Sequence, residues 1–382
     1  MRSGAALVCV LLAACASPQP RIAPPEFLFK DALFSAPAER VTAADLFALN
    51  DRMKLYLKTE IAPQLRLMGP QQGLIHALYQ RDQLKLQYDA GMTRNASQAF
   101  DARAGNCLSL VIMTAAFAKE IGLQVRYQSA YLEETWGRSG GLLVRSGHVN
   151  VTLDRRFHDT ASMGPANALT IDFLPGENLR ALRSREIQEE TIVAMYMNNK
   201  AVEALVEGRL DDAYAWAREA VFQSPEYFGS HNTLGVTYLR RGDLTQAATV
   251  FSYLLEREPT NTRAMSNLAQ VFARQGRSVE SADLLRRLAQ IEAVGPFHYF
   301  NLGLAAMEQG NFKDARDLFA KEIARAHYHA ESHYWLALAN VKLGDIEPAR
   351  KHLALALENG VTRNDRDLYA AKLAWLQTHG VQ

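Results

Sequence analysis

Glycine recurs at a fixed interval through the second half of this 382-residue chain. Gly208, Gly242, Gly276, Gly310 and Gly344 each fall 34 residues after the last. Two series of small residues run in register with them: Ala201, Gly235, Ala269, Gly303 and Ala337, then Ala213, Ala247, Ser281, Ala315 and Ala349. Leu234, Leu268, Leu302 and Leu336 precede the first series, while Phe251, Leu285, Phe319 and Leu353 follow the second by four. A period of this length is one helix pair, which cannot bury its apolar face alone and must stack on its neighbours. The small residues let the two helices of a pair lie close together, and the glycine permits the tight turn between them. Pro225 and Pro259 close the first two units. Ala293, His327 and Val361 replace proline in the later ones, where the small residues still fix the stacking.

This pattern resembles the tetratricopeptide repeat family in its period and its small-residue placements. The resemblance implies five helix pairs over residues 186–361, forming an all-α solenoid. The segment from Asn364 to Gln377, with Leu368, Leu373, Trp375 and Leu376, reads as a helix covering the last repeat within 362–382. Such a solenoid offers a concave groove for a protein or peptide partner. His327, His329 and His333 raise the question of a metal site, but two of them lie at repeat turns, so packing is preferred. Tyr299, Phe300 and Tyr334-Trp335 are likewise read as packing residues rather than a ligand cage.

The middle of the chain follows a different pattern. From Cys107 to Ile121 nearly every residue is apolar, which predicts a central helix covered on most sides and ended by Gly122. Leu123 to Tyr127, Val149 to Leu153 and Ala168 to Phe173 then read as strands. Before it, Thr42-Ala43-Ala44-Asp45 predicts a helix start, and a second helix is expected over about Gln71 to Lys85. Helices followed by consecutive strands predict an α+β domain, with the Cys107 helix packed on a mostly antiparallel sheet. A thiol at a helix N-terminus faces unpaired backbone N–H groups and the helix dipole, a setting that favours the nucleophilic thiolate.

Arg103-Ala104-Gly105-Asn106-Cys107 opening an apolar helix, followed by Lys119-Glu120-Ile121-Gly122-Leu123-Gln124-Val125-Arg126, resembles the core of the transglutaminase-like thiol family. The likeness covers about Ala90 to Pro175. It implies a triad of Cys107, His148 and a carboxylate, for which Asp172 is preferred over Asp159. An isolated carboxylate in an apolar strand needs a partner, and Asp172 lies in such a strand. Asn150 stands where the family often carries an aromatic residue. The implied reaction is acyl transfer from a peptide or side-chain amide. Cys107 attacks, His148 moves the proton, and the carboxylate fixes the imidazole tautomer. The backbone N–H of Cys107 is a candidate oxyanion donor.

The N-terminus predicts an address. Arg2 precedes an apolar stretch, Ala5 to Leu12, too short to span a bilayer, and Leu12-Ala13-Ala14-Cys15 resembles a bacterial lipobox. Residues 1–14 are thus expected to be a signal peptide and Cys15 the lipidated residue. Pro18, Pro20, Pro24 and Pro25 suggest a tether over 15–40. Ala16 after the lipobox cysteine favours the outer membrane, facing the periplasm, by resemblance to Gram-negative lipoproteins. Of three cysteines, Cys9 leaves with the leader and Cys15 takes lipid, so Cys107 has no disulfide partner. With 42 basic against 41 acidic residues, nucleic acid is not an expected partner.

The sequence therefore predicts an α+β transglutaminase-like domain at 41–185 followed by the tetratricopeptide solenoid. The two are read together as a lipid-anchored thiol enzyme whose repeats recruit a protein partner, with no cofactor or metal implied. The alternative is a non-catalytic envelope scaffold carrying a degenerate thiol domain.

Overall fold

A computed structural model describes residues 23–38, 42–79, 84, 86–89, 91–131, 136–139, 142–145, 148–154, 168–173, 183–291, 297–327, 329–360 and 363–379. Residues 1–22, with the expected leader and Cys15, and the competing acid Asp159 lie outside them. No helix among the described residues is long and apolar enough to cross a membrane.

The first helix does not start at Thr42. Residues 43–47 form a turn, and the Leu46 carbonyl accepts the Ala96 N–H instead of a helical partner. Asn50 supplies the cap, accepting the Met53 N–H at 2.9 Å. Helix α1 (Asp51–Tyr56) runs through a π-helical turn, Leu57–Ile61, into α2 (Ala62–Met68). Helix α3 is described over Pro70–Tyr79; residues 80–83 and 85 of the expected helix lie outside the described residues, and Leu84 is in a turn. Strand β1 (Gln87–Tyr88) pairs parallel with β2 (Ala104–Gly105), with α4 (Ala96–Ala102) between them.

Helix α5 (Cys107–Glu120) is buried from its first residue through Ala118, as its almost wholly apolar sequence requires, with Ser109 and Thr114 the two polar exceptions. It packs on β3 (Gln124–Tyr131) and on a later strand of the same sheet. A hairpin of β4 (Trp136–Ser139) and β5 (Leu142–Arg145) precedes that strand, β6 (His148–Asp154). Strands β7 (Leu169–Ile171) and β8 (Arg183–Ile187) complete an antiparallel sheet of order β7-β6-β3-β8. The charged run Arg183-Ser184-Arg185-Glu186 carried no strand signal, and β8 sits at the sheet's edge, where polar residues are tolerated.

Helix pairs then follow without interruption of type: α6 (Glu189–Val206) with α7 (Leu210–Gln223), α8 (Phe228–Arg241) with α9 (Leu244–Arg257), and α10 (Thr262–Arg274) with α11 (Ser278–Ile291). Next come α12 (His298–Glu308) with α13 (Phe312–Arg325), and α14 (Ala330–Leu343) with α15 (Ile346–Glu358), covered by α16 (Arg363–His379). The five periodic glycines all take positive φ, from 76° to 94°, in the intra-pair turns. The small-residue series has its reason in packing. A Cβ on Gly235 would lie 2.5 Å from the Phe251 ring, and one on Gly303 would lie 2.5 Å from Phe319.

One junction departs from the repeat. Leu234, Leu268 and Leu336 are buried, yet Leu302 is 45% exposed. Phe251, Phe319 and Leu353 are buried, yet Leu285 is 50% exposed. Both exceptions flank the step from α11 to α12. Consecutive pairs elsewhere pack extensively, α7 on α8, α9 on α10 and α13 on α14; α11 and α12 make no such contact among the described residues. The buried clusters on the two sides are accordingly separate.

The expected Pro-rich tether is not a free spacer over its described part. Residues 26–38 lie along α7, α8 and α9, because Phe27, Leu28, Phe29 and Phe34 find aromatic and apolar partners there.

Candidate thiol site

Asn106 sets the start of α5. Its Oδ1 accepts the Ser109 N–H at 2.9 Å and the Ser109 hydroxyl at 2.8 Å, while its Nδ2 donates to Thr93 Oγ1 at 3.0 Å. Ser109 Oγ accepts the Arg94 N–H at 2.8 Å. The Thr93 N–H donates to Glu203 of α6 at 2.7 Å. The loop before the thiol is thereby tied both to its own helix and to the first helix of the repeats. Cys107, the first residue of α5, is 5% exposed.

His148 opens β6 and is 3% exposed. The antiparallel register pairs Val151 with Ile171, so the chain leaving β7 runs back alongside the start of β6. Asp172 is the next residue, and its carboxylate lies 2.7 Å from His148 Nε2. Asp172 is therefore in contact with the imidazole. Among the described residues His148 Nδ1 is buried without a hydrogen-bond partner, and the Cys107 thiol lies near enough to act on the ring. Burial is the largest single influence on this imidazole and opposes its charge. The hydrogen bond to Asp172 and its charge, with the neighbouring Cys107 thiol, outweigh it and push the pKa up to about 9.

The structure thus brings Cys107, His148 and Asp172 together at one end of α5 and the sheet. Asn150, on the same strand as His148, is buried with no partner for its Oδ1 among the described residues. Thr93, Ser109 and Glu203 were not singled out from sequence. Asn106-x-x-Ser109 is a readable cap spacing, whereas the Thr93–Glu203 contact joins residues with no local pattern in common. Gly105 also supports the cap, because a Cβ there would meet Ser109 Cβ at 2.7 Å. Gly105→Ala is expected to cost about 1–3 kcal/mol by overpacking and to slow Cys107 alkylation. Thermal unfolding and thiol-labelling rates check this, and a variant matching the wild type in both would show the close approach to be unimportant.

The histidines near the fifth repeat are packing groups. His333 Nε2 donates to the His327 carbonyl at 2.8 Å, which leaves Nδ1 to accept from His352 Nδ1 at 3.0 Å. Burial, then His333 and Lys351, lower the His352 pKa to about 4. His329 Nδ1 lies 2.6 Å from Ser332 Oγ. Among the described residues no group of three or more His, Cys, Asp and Glu is placed to hold a metal.

Residues 232–296 and 300–362 match the family model for the tetratricopeptide repeat, and the C-terminal half carries such repeats. The chain is similar to the crystal structure of MamA protein, at 20% identity over 45% of this chain and 93% of that one, with a TM-score of 0.26. It is also similar to TTC0263, a thermophilic tetratricopeptide protein of Thermus thermophilus. That likeness has 20% identity over 47% of this chain and 99% of that one, with a TM-score of 0.29. No curated protein matches.

Proposed function

We propose that this chain is a lipid-anchored thiol enzyme of the transglutaminase-like type, in which the repeats recruit a protein partner to the Cys107 centre. The observation that carries the reading is a buried imidazole held by a carboxylate at 2.7 Å on one nitrogen and acted on by a helix-terminal thiol. A structural histidine needs no such pair of partners, whereas a thiol–imidazole–carboxylate set is what acyl transfer requires.

In this reading Cys107 Sγ attacks the carbonyl carbon of a peptide or side-chain amide, and its proton passes to His148 Nδ1. Asp172 holds Nε2–H and stabilises the imidazolium. The Cys107 backbone N–H, at the unpaired start of α5, faces the developing oxyanion. The tetrahedral adduct collapses as the C–N bond breaks, the amine takes the His148 proton, and a thioester remains. Water, deprotonated by His148, then releases the acid; an amine in its place would complete a transfer. The family likeness in bacteria favours water. Lipidation at Cys15, with an outer-membrane position facing the periplasm, belongs to the same proposal.

A second reading, an envelope scaffold without catalysis, is favoured by one observation: the family match falls entirely on the repeats. An electrophilic amide-mimic probe separates the two. The enzyme reading expects one adduct on Cys107, lost in Cys107→Ala and slowed about 100-fold or more in His148→Ala. Slow labelling with an ordinary thiol pH profile, unaffected by His148→Ala, would leave the scaffold reading.

A further inference from the structure

Residues 26–38 meet the repeats in the manner of a bound peptide. Backbone groups are read one after another by side chains on the helices. Gln246 Nε2 donates to the Phe27 carbonyl at 2.7 Å, and Tyr238 Oη donates to the Leu28 carbonyl at 3.0 Å. The Lys30 N–H reaches the hydroxyls of both Tyr214 and Tyr238, at 3.1 and 2.9 Å. The Ser35 N–H donates to Asp211 at 3.1 Å, and the Ala38 N–H donates to Asp212 at 2.6 Å.

Side chains occupy separate seats along the same line. Leu28 is fully buried. Phe29 stacks on Phe222 with ring centroids 4.9 Å apart, and Arg218 lies over both rings. Phe34 stacks on Tyr214 at 3.8 Å with Arg241 above it. Asp31 pairs with Arg218 at 2.9 Å and accepts from Tyr214 at 2.6 Å. Phe27, 52% exposed, borders a cavity of about 410 Å³ lined by Tyr253, Phe272 and Arg277, so the groove extends past the seated segment.

The face used is the outer one. First helices of neighbouring pairs touch, α6 with α8, α8 with α10 and α12 with α14, as on the inner side of a curved stack. Second helices make no comparable contact among the described residues, and the segment lies along α7 and α9. Backbone reading plus aromatic seats is how a short peptide is recognised, with affinity from the main chain and selectivity from the pockets.

We propose that the face built by α7, the end of α8 and α9 is a recognition groove for aromatic peptides that take two 3-10 turns, filled here in cis by residues 26–38, which turn at Glu26–Leu28 and Asp31–Leu33. The partner that fits it is a segment able to make the same two turns, presenting Phe-x-Phe followed five residues on by a third aromatic, with a carboxylate between to meet Arg218. Tethering raises the effective concentration of the cis segment, so a partner must displace it. The inference does not depend on Cys107 chemistry, because its test reads binding alone.

A fluorescent peptide of residues 23–38 is titrated into the full chain and into its Phe29→Ala/Phe34→Ala variant. The variant is expected to bind saturably, and the wild type at least tenfold more weakly, because its own segment competes. A peptide carrying the same two alanines should bind neither protein. No saturable binding to a folded variant, or equal binding to both proteins, would overturn the proposal. Should the variant fail to fold, hydrogen exchange on the wild type decides: excess unlabelled peptide should speed exchange of the Lys30 amide at least severalfold. An unchanged rate would mean a fixed structural strap rather than an exchangeable ligand.

Discussion

Asp172→Asn is expected to lower the His148 pKa from about 9 by at least about one unit and to slow Cys107 acylation by roughly 10²–10⁴-fold. The reason is the balance at the imidazole. Burial, the largest influence, disfavours the charged ring, and it is overcome only by the hydrogen bond and charge of Asp172 together with the neighbouring Cys107 thiol. Asparagine keeps the shape but removes the charge, so burial regains ground. The same balance sets the sign of a stability effect. The folded pKa lies above the ordinary 6.5, so the stabilisation is fully present below pH 6.5 and is lost as pH rises through about 9. Its upper bound, at 1.36 kcal/mol per unit, is about 3 kcal/mol. The melting-temperature gap between wild type and Asp172→Asn should therefore be widest near pH 6 and should narrow toward pH 9.5. Titration of the His148 ring by NMR gives the pKa directly. A ring that titrates alike in both proteins would mean that Asp172 does not govern it.

What the sequence made legible follows the range of the interactions involved. The helix pairs were readable because each depends on residues less than one period apart: Gly235 against Phe251, Gly303 against Phe319, and a glycine in each turn. The start of α5 was readable because Asn106 caps locally, and Asp172 was readable because an apolar strand offers a carboxylate nothing else. Local pattern misled at Thr42, where the Leu46 carbonyl is taken by Ala96, far along the chain, and Asn50 provides the stronger cap. The seating of residues 26–38 was not readable. A proline-rich stretch with three phenylalanines suits a tether and a peptide ligand equally, and the decision rests with Tyr214 and Tyr238, roughly half the chain away. The Thr93–Glu203 link escaped for the same reason.

The junction between the third and fourth pairs carries the largest expected effect on stability. Phe251 and Phe319 occupy equivalent repeat positions and are both fully buried, so Phe→Ala at either should cost about 3–5 kcal/mol. The two losses should be felt by different parts of the molecule. Phe251 belongs to a continuous core that runs from Leu28 through α5 and the sheet to Leu284. Phe319 belongs to a separate cluster, with Phe297, Phe300 and Leu336. Stacked repeats share stability through their interfaces, and between α11 and α12 the interface is thin among the described residues: Leu285 and Leu302, each the exposed member of its repeat series, are about half exposed. Phe319→Ala should then advance unfolding of α12 to α15 while leaving the α/β unit and the first three pairs at their original transition. Phe251→Ala should do the reverse. Leu285→Ala, at the same repeat position as both, should cost less than about 1 kcal/mol, because water already reaches it. Calorimetry with residue-resolved hydrogen exchange reads all three. A single transition shifted equally by both phenylalanine variants would mean that the junction transmits stability despite its sparse packing.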